Sequence, residues 1–286
     1  MNDTADNTSP VPLPDPAQAQ IAASFVAARR QARALPSFPG PLPASLAAAY
    51  RVQDLAIEQW SDRVIGWKVG YIAPERRDDE GDERLLGPMF ARALWHDHGG
   101  INPIPVFEGG FAAVEAEYVL RINDDARPGK LTWTPEEAAQ LPTTLLVGVE
   151  VASSPLASIN DLGPCAVIAD FGNHAGLVLG REIPDWHVLD EAGLHAETWI
   201  DGSPVGAGGA ARLPGGLHGA LAFALTRLAR RGRPLRAGEL IATGNATGIH
   251  QIGVGQKAEV RFADLPPIAC RAVPATALAG GTERHG

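Results

Sequence analysis

The sequence predicts an α+β protein in which many strands are joined by few helices. Strand-like apolar runs follow one another from residue 64 onward, whereas helix signals concentrate in the first sixty residues. No regular alternation of strand and helix is present, which argues against a parallel α/β fold. We therefore expect a disordered tail at 1–14, a helical N-terminal portion at 15–63, a β-rich domain at 64–270 and a flexible tail at 271–286.

Two helices are expected in the N-terminal portion. The first begins at Pro16, which follows the capping residue Asp15, and ends before Pro36. The second is capped by Ser45 and extends to about Trp60.

The strands expected beyond residue 63 share apolar composition bounded by Gly, Pro or polar residues. They cover residues 64–72, 111–122, 145–152, 166–171, 177–180, 240–243 and 258–262, together with a hairpin over 199–205. Asp201-Gly202 supplies the turn of that hairpin. A short helix is expected after Thr134, and a longer one from Gly216 to Arg231.

Composition excludes several classes of protein. The 286 residues carry a net charge of −9, which argues against a nucleic-acid-binding surface. Two cysteines provide no disulfide framework, so a reducing cytoplasm is expected. No apolar run approaches the length of a membrane span, and no signal-peptide pattern opens the sequence, so we expect no membrane association.

Glu115 and Glu117 are the most informative residues. They lie one residue apart in an apolar run, so on a strand they share a face with Cα atoms roughly 6.5–7 Å apart. Glu150 occupies a similar run. Three carboxylates on two apolar strands suit a hard divalent cation. The residues alone leave open that Glu150 is a salt-bridge partner, or that the pair faces solvent at a sheet edge.

Lys68 is a second unusual charge, because apolar residues and two glycines flank it. A buried lysine either pairs with a carboxylate or has a lowered pKa suited to proton transfer, and both remain open here. Asp170 and Asn173 lie at a glycine-bearing turn, where they could be ordinary turn residues. The segment 242–248, which includes Thr243 and Gly244, could present backbone N–H groups to an anion.

Taken in order, these motifs resemble those of the fumarylacetoacetate hydrolase superfamily, most closely its 2-keto-4-pentenoate hydratase/4-oxalocrotonate decarboxylase branch. The resemblance covers roughly residues 45–265. It is carried by Gly66-Trp67-Lys68-Val69-Gly70, Val114-Glu115-Ala116-Glu117, Val149-Glu150-Val151, Ala169-Asp170 and Thr243-Gly244.

The resemblance implies a mixed β-roll or sandwich core of the superfamily's C-terminal type. It implies Mg²⁺ or Mn²⁺ held by Glu115, Glu117 and Glu150, with Lys68 and Asp170 as catalytic residues. The substrate-binding residues that it implies are Asn173, Thr243, Gly244 and Leu86.

Its implied activity is that of a hydro-lyase in aromatic-compound catabolism. The enzyme would add water to a 2-hydroxy-2,4-dienoate through a metal-stabilised enolate, acting on a small 2-oxo acid. A homo-oligomer is also implied, which could associate with a decarboxylase partner. The alternatives are a 4-oxalocrotonate-type decarboxylase, an acylpyruvate hydrolase and a non-catalytic partner subunit.

Two departures from the family pattern bear on the substrate, and one is that this chain reads Ala169-Asp170-Phe171-Gly172-Asn173 where typical hydratases read Ala-Asp-Asn-Ala-Ser. Typical hydratases carry Asp-Phe-Gly where this chain has Leu85-Leu86-Gly87, so a catalytic carboxylate is absent. Decarboxylation of a diacid requires a cationic pocket for the second carboxylate, which Arg92 or Arg121 could supply. No His–Glu pair stands out in the segment 75–84, which disfavours hydrolysis.

Overall fold

A computed structural model describes residues 15–77 and 82–278 of the chain. The tail expected at 1–14 lies outside the described residues, as do residues 279–286. None of the helices in the described ranges is long and apolar enough to cross a membrane.

The helices follow the expected capping signals closely. Asp15 and Ser45 accept hydrogen bonds from the first turns of the first two helices, and Thr134 forms a capping box with Glu137. The helices are α1 (Pro16–Arg30), α2 (Leu46–Gln59), α3 (Pro135–Ala138), α4 (Pro164–Ala169) and α5 (Gly216–Arg230).

Strands are the main secondary structure in the described chain after residue 63, as expected for an α+β fold. They are β1 (Val64–Tyr71), β2 (Arg84–Phe90), β3 (Leu94–His96), β4 (Ile101–Val106), β5 (Phe111–Ile122), β6 (Thr143–Ser154), β7 (His174–Glu182), β8 (His195–Ile200), β9 (Ser203–Gly209), β10 (Leu240–Asn245), β11 (His250–Gln251), β12 (Lys257–Phe262) and β13 (Ile268–Pro274).

The larger sheet mixes parallel and antiparallel pairs and curls into a roll. Its strand order is β2-β1-β10-β5-β6-β7-β3, with β11 paired to β5. The roll closes because β2 contacts β7 and the turn before it. A Cβ atom on Gly87 would lie 2.3 Å from the backbone oxygen of Phe171, so only glycine allows this approach.

The two faces of the rolled sheet are covered differently. The outer face carries Trp67, Val69 and Tyr118 into the main core, which the helices and the smaller sheet, β4-β13-β12-β8-β9, complete. Tyr118 meets Phe262 of the smaller sheet edge to face, with ring centroids 5.5 Å apart. The inner face holds a separate apolar cluster, formed by Ile65, Met89, Val119, Leu146, Leu177, Leu179, Leu240 and Ala242.

Two expectations about the elements were wrong. Residues 166–171 were expected to form a strand, but most of this run belongs to α4, because Pro164 after Gly163 starts a helix that buries Ala166, Ile168 and Ala169. The boundary expected at residue 270 falls inside β13, which continues to Pro274 because it pairs with both β12 and β4.

Candidate metal centre

Three glutamates meet on the inner face of the roll. Glu115 and Glu117 share a face of β5, and Glu115 lies directly opposite Glu150 in the antiparallel β5–β6 register. One carboxylate oxygen from each glutamate lies within 4.8 Å of the others, and the residues are only 3%, 1% and 0% exposed. Such a buried group of oxygen donors fits a hard divalent cation, because the charges otherwise repel one another at close range.

Lys68 joins the three glutamates from β1. It pairs across the sheet with Ala242, which pairs with Val119, so all of these side chains share the inner face. Its Nζ lies 3.4 Å from Oε1 of Glu150. Burial favours the neutral amine, but the nearby carboxylates outweigh burial and raise the pKa of Lys68 above its ordinary value. Of the two alternatives that the sequence left open, the structure therefore favours the Lys68–Glu150 ion pair.

The pKa of one carboxyl group is lowered, whereas the pKa values of the other two are raised. Burial, together with Glu150, raises the pKa of Glu115 to about 7, although Lys68 opposes this. Burial and the other two carboxylates raise the pKa of Glu117 well above its usual range. Burial also disfavours ionisation of Glu150, but Lys68 and His174 together leave its pKa below the ordinary value. A bound dication favours the ionised form of all three.

His174 supports Glu150 from β7. Its Nδ1 lies 3.0 Å from Oε1 of Glu150, and both side chains are buried. Among the described residues, the other oxygen of Glu150, Oε2, has no hydrogen-bond partner. Buried polar atoms are rarely left unpaired, so this oxygen is available to a metal ion. The residues present therefore fit a divalent cation, and His174 orients one of its ligands.

Asp170 does not meet the glutamates, although it was expected to be catalytic. Its Oδ2 accepts hydrogen bonds from Nη2 of Arg29 at 3.0 Å and from Oγ of Ser154 at 2.6 Å. Arg29 also donates to the backbone oxygens of Ser153 and His174. Because the carboxylate is fully engaged, Asp170 holds Arg29 in place, and Arg29 in turn holds the backbone of His174.

The segment from Thr243 to Asn245 holds the glutamates from β10. The N–H of Gly244 donates to Oε2 of Glu117 at 2.8 Å, and the Asn245 side chain lies close enough to Glu115 to lower its pKa. The Thr243 hydroxyl donates to a backbone oxygen of β5 at 2.8 Å. Of these residues, Thr243 and Gly244 were expected to hold the substrate carboxylate; in the structure the Gly244 N–H and the Thr243 hydroxyl bond protein acceptors. Thr243, Gly244 and Asn245 also line a cavity of about 250 Å³, whose lining includes none of the three glutamates.

The two remaining expected residues, Asn173 and Leu86, lie in different environments. Asn173 is buried in the turn that meets β2, and its side-chain nitrogen lies 3.5 Å from Asn160. Leu86 pairs with Val69, so its side chain faces the main core and not Lys68. Leu85 pairs with Gly70 and therefore shares the face of Lys68.

Sequence reasoning missed His174, Arg29 and Asn245. His174 follows a turn and Asn245 ends a strand, so neither position carries a local signal. Arg29 was detectable in principle, because it falls on the buried face of α1 beside Val26 and Phe25.

Sequence comparison identifies two curated relatives of the chain, whereas no protein-family model matches it. The chain is 27% identical over 184 residues to the 2-keto-4-pentenoate hydratase of Burkholderia vietnamiensis. The match covers 64% of this chain and 68% of the relative. The 2-keto-4-pentenoate hydratase of Paraburkholderia phymatum matches with the same identity and the same coverage.

Solved structures share the fold. The 4-oxalocrotonate decarboxylase from Pseudomonas putida G7, complexed with magnesium and adipate, superposes with a TM-score of 0.76 at 19% identity. That match covers 90% of this chain and 97% of the other. The fumarylpyruvate hydrolase from Pseudomonas aeruginosa, in complex with Mn²⁺ and pyruvate, superposes with a TM-score of 0.54 at 16% identity, covering 75% of this chain and 91% of the other.

The glutamates on β5 and β6, the rolled sheet around them and the two sequence matches agree with one another. The comparisons support the resemblance to the fumarylacetoacetate hydrolase superfamily: the chain is similar in sequence to 2-keto-4-pentenoate hydratases and shares its fold with a 4-oxalocrotonate decarboxylase and a fumarylpyruvate hydrolase.

Proposed function

We propose that the protein is a metal-dependent hydro-lyase that adds water to a 2-hydroxy-2,4-dienoate. The observation that carries this proposal is the buried group of Glu115, Glu117 and Glu150, whose oxygens lie within 4.8 Å of one another beside Lys68. Aromatic-compound catabolism, in which such dienoates arise, is the corresponding proposed role.

Mg²⁺ or Mn²⁺ is the proposed cofactor. All the donors are carboxylate oxygens, which hard divalent cations prefer. The structural relatives named above were solved with magnesium and with Mn²⁺. When bound, the ion supplies Lewis-acid stabilisation of negative charge that develops on the 2-oxygen of the substrate.

The proposed reaction consists of a ketonisation followed by the addition of water. The 2-hydroxyl group loses its proton while C5 gains one, which leaves a double bond between C3 and C4 conjugated to the 2-oxo group. Water then adds its hydroxyl to C4, and a proton is placed on C3. Both steps build negative charge on the 2-oxygen, so both benefit from the same site.

Lys68 is the residue of this chain proposed to hold and deliver a proton. It is an ammonium on the inner face of the roll, 3.4 Å from Glu150. A cation bound to the glutamates weakens their hold on that proton, because it offsets the negative charge that raises the pKa of Lys68. The loaded site therefore brings the pKa of Lys68 closer to the range useful for proton transfer.

Decarboxylation of a 4-oxalocrotonate-type diacid is the second candidate. Its support is that Arg84 and Arg212 line the cavity bordered by Gly244 and Asn245, where they offer cationic groups for a second carboxylate. The arginines suggested by the sequence do not lie there: Arg121 pairs with Glu182 at the surface, and Arg92 lines a separate cavity.

A homo-oligomer, with or without a decarboxylase partner, is a further proposal, which light scattering can test.

The test combines metal titration with product analysis. Calorimetric titration of the wild type with Mg²⁺ should show binding that Glu150→Gln abolishes and that Glu259→Gln, a surface change on the smaller sheet, retains. NMR should then show the 4-hydroxy-2-oxo acid forming from the dienoate only when Mg²⁺ is present. Unchanged Mg²⁺ affinity in Glu150→Gln contradicts the metal site, and release of CO₂ from the diacid without hydration favours the second candidate.

A further inference from the structure

We propose that a cavity with aromatic walls beside His174 binds a small phenol, and that this ligand acts on the metal centre through His174. The cavity has a volume of about 330 Å³, which is in the range of small-molecule sites. Its lining includes none of the three glutamates, so it is a site distinct from the metal centre. Only the effect of the ligand on the metal rests on the proposed function.

Aromatic rings form the walls of the cavity and hold one another in place. Trp60, Phe90 and Phe171 line it and pack together. The centroids of the two phenylalanine rings lie 5.0 Å apart, and that of Trp60 lies 5.7 Å from each. Trp95 forms a further wall and sits against Gly176, where a Cβ atom would lie 2.3 Å from its ring. Rings fixed in this way present flat apolar faces, which favour a planar aromatic ligand.

The charged groups at the cavity are already balanced. Arg29 is paired with Asp170, and its guanidinium lies 5.3 Å from the centre of the Phe171 ring. The exposed Arg92 stands beside Asp62, whose Oδ2 accepts a hydrogen bond from the Arg92 backbone N–H at 2.9 Å. Because one carboxylate accompanies each guanidinium, the cavity favours a neutral ligand over an anion.

His174 contributes a polar atom that lacks a partner. Its side chain is 2% exposed, and its Nε2 has no hydrogen-bond partner among the described residues. Nδ1 of the same ring lies 3.0 Å from Oε1 of Glu150, so Nε2 is on the side of the ring turned away from Glu150. A hydroxyl group suits this nitrogen in either charge state, because it donates to the neutral ring and accepts from the imidazolium.

A phenol combines the two features that the cavity selects. Its ring is planar and neutral, and its one hydroxyl group pairs with Nε2 of His174. An arene without the hydroxyl group would leave this buried nitrogen unpaired, which is unfavourable. An alcohol without the ring would leave the aromatic walls uncovered.

His174 connects the cavity to the metal centre. One nitrogen of its ring bonds Glu150, and the other bonds the phenol, so the ligand fixes the ring that orients this glutamate. The phenol and Mg²⁺ should therefore each bind more tightly in the presence of the other, and by the same factor.

The test of the site compares 4-methylphenol with toluene, which lacks only the hydroxyl group. NMR titration of the metal-free full chain should show at least about fivefold tighter binding of 4-methylphenol. His174→Phe removes Nε2 and should reduce this preference to within about twofold. The comparison of the two ligands on the wild type does not depend on whether any variant folds.

A second pair of variants locates the ligand. Ala93→Phe adds a ring at the wall of the cavity and should weaken the binding of both ligands at least about tenfold, because packed interiors leave no room for both. Ala207→Phe, an exposed change on β9, should leave both affinities unchanged. Binding of neither ligand by the wild type, or binding that Ala93→Phe leaves unchanged, overturns the site and leaves the proposed function standing. Equal affinity of the wild type for the two ligands overturns the contact with His174.

The coupling is measured by calorimetric titration with Mg²⁺ at a saturating concentration of each ligand. 4-Methylphenol should tighten Mg²⁺ binding by the wild type at least about fivefold, whereas toluene should not change it. An unchanged Mg²⁺ affinity in the presence of bound 4-methylphenol overturns the coupling. Absence of any Mg²⁺ binding overturns the proposed function instead, and leaves the phenol site standing on the first titration.

Discussion

The metal-free protein should become less stable as the pH rises through neutrality. Glu115 is the reason, because burial raises its pKa from 4.5 to about 7. A carboxyl group with a raised pKa binds its proton more tightly in the folded protein than in the unfolded chain. Its contribution to stability is therefore complete below pH 4.5 and is lost as the pH rises through about 7. Glu117 acts in the same direction, since its pKa is raised well above the usual range.

The size of the effect follows from the pKa of Glu115. A rise from 4.5 to about 7 corresponds to on the order of 3 kcal/mol of unfolding free energy. For a chain of this size, that loss lowers the unfolding temperature by roughly 6–12 °C. Mg²⁺ should reverse the loss, because it binds the ionised glutamates, and about 2.7 kcal/mol is recovered when the ion is present at about a hundred times its dissociation constant.

Scanning calorimetry between about pH 5 and about pH 8, with a chelator or with Mg²⁺, measures this effect. Stabilisation by Mg²⁺ should grow with pH over the same interval. The control is Glu115→Gln, which cannot ionise and should flatten the curve of the metal-free protein. If the metal-free wild type keeps or gains stability as the pH rises, or if Glu115→Gln shows the same slope, the buried carboxyl is already ionised and the reasoning fails.

Three further outcomes test residues around the glutamates. His174→Gln removes the ring that orients Glu150, so Mg²⁺ binding measured by calorimetric titration should weaken about 10–100-fold. An unchanged Mg²⁺ affinity would exclude an orienting role for His174. Asp170→Asn leaves Arg29 as a buried cation without its ionised partner, so the free energy of unfolding measured in urea should fall by about 3–5 kcal/mol. A catalytic Asp170 would instead predict that the variant loses turnover and keeps its full stability. Lys68→Met should retain Mg²⁺ binding but lower kcat at least about 100-fold, and undiminished turnover rules out proton delivery by Lys68.

Local patterns in the sequence were sufficient to predict the elements that carry the site. The strand expected at 111–122 matches β5, and α1 and α2 begin where their caps indicate. The strands β2, β4 and β13 were not expected, because Arg84–Phe90 and Ile101–Val106 contain proline and lack clear alternation. The strand assigned to 166–171 failed for a related reason, since a short apolar run does not distinguish a buried strand from a buried helix.

The sequence could not predict those parts of the site that depend on how remote strands pair with one another. Period-two spacing placed Glu115 and Glu117 on one face, but only the β5–β6 pairing shows that Glu115 lies opposite Glu150. Contacts of His174, Arg29 and Arg84 depend on chain segments far apart in sequence, so no local pattern reveals them. The same limit explains why the contacts of Asp170 were not predicted: its sequence motif resembles a catalytic position, but its carboxylate binds Arg29.

The close approach of Gly87 to Phe171 and Gly172 has a consequence for the order of folding. The roll surrounds the glutamates only after β2 has met this distant turn, and contacts between remote segments form slowly because loop closure costs entropy first. Metal binding should therefore follow closure of the roll, and the rate at which the folding chain acquires metal should report that late step. Gly87→Ala would delay or prevent closure of the roll without altering any of the three glutamates.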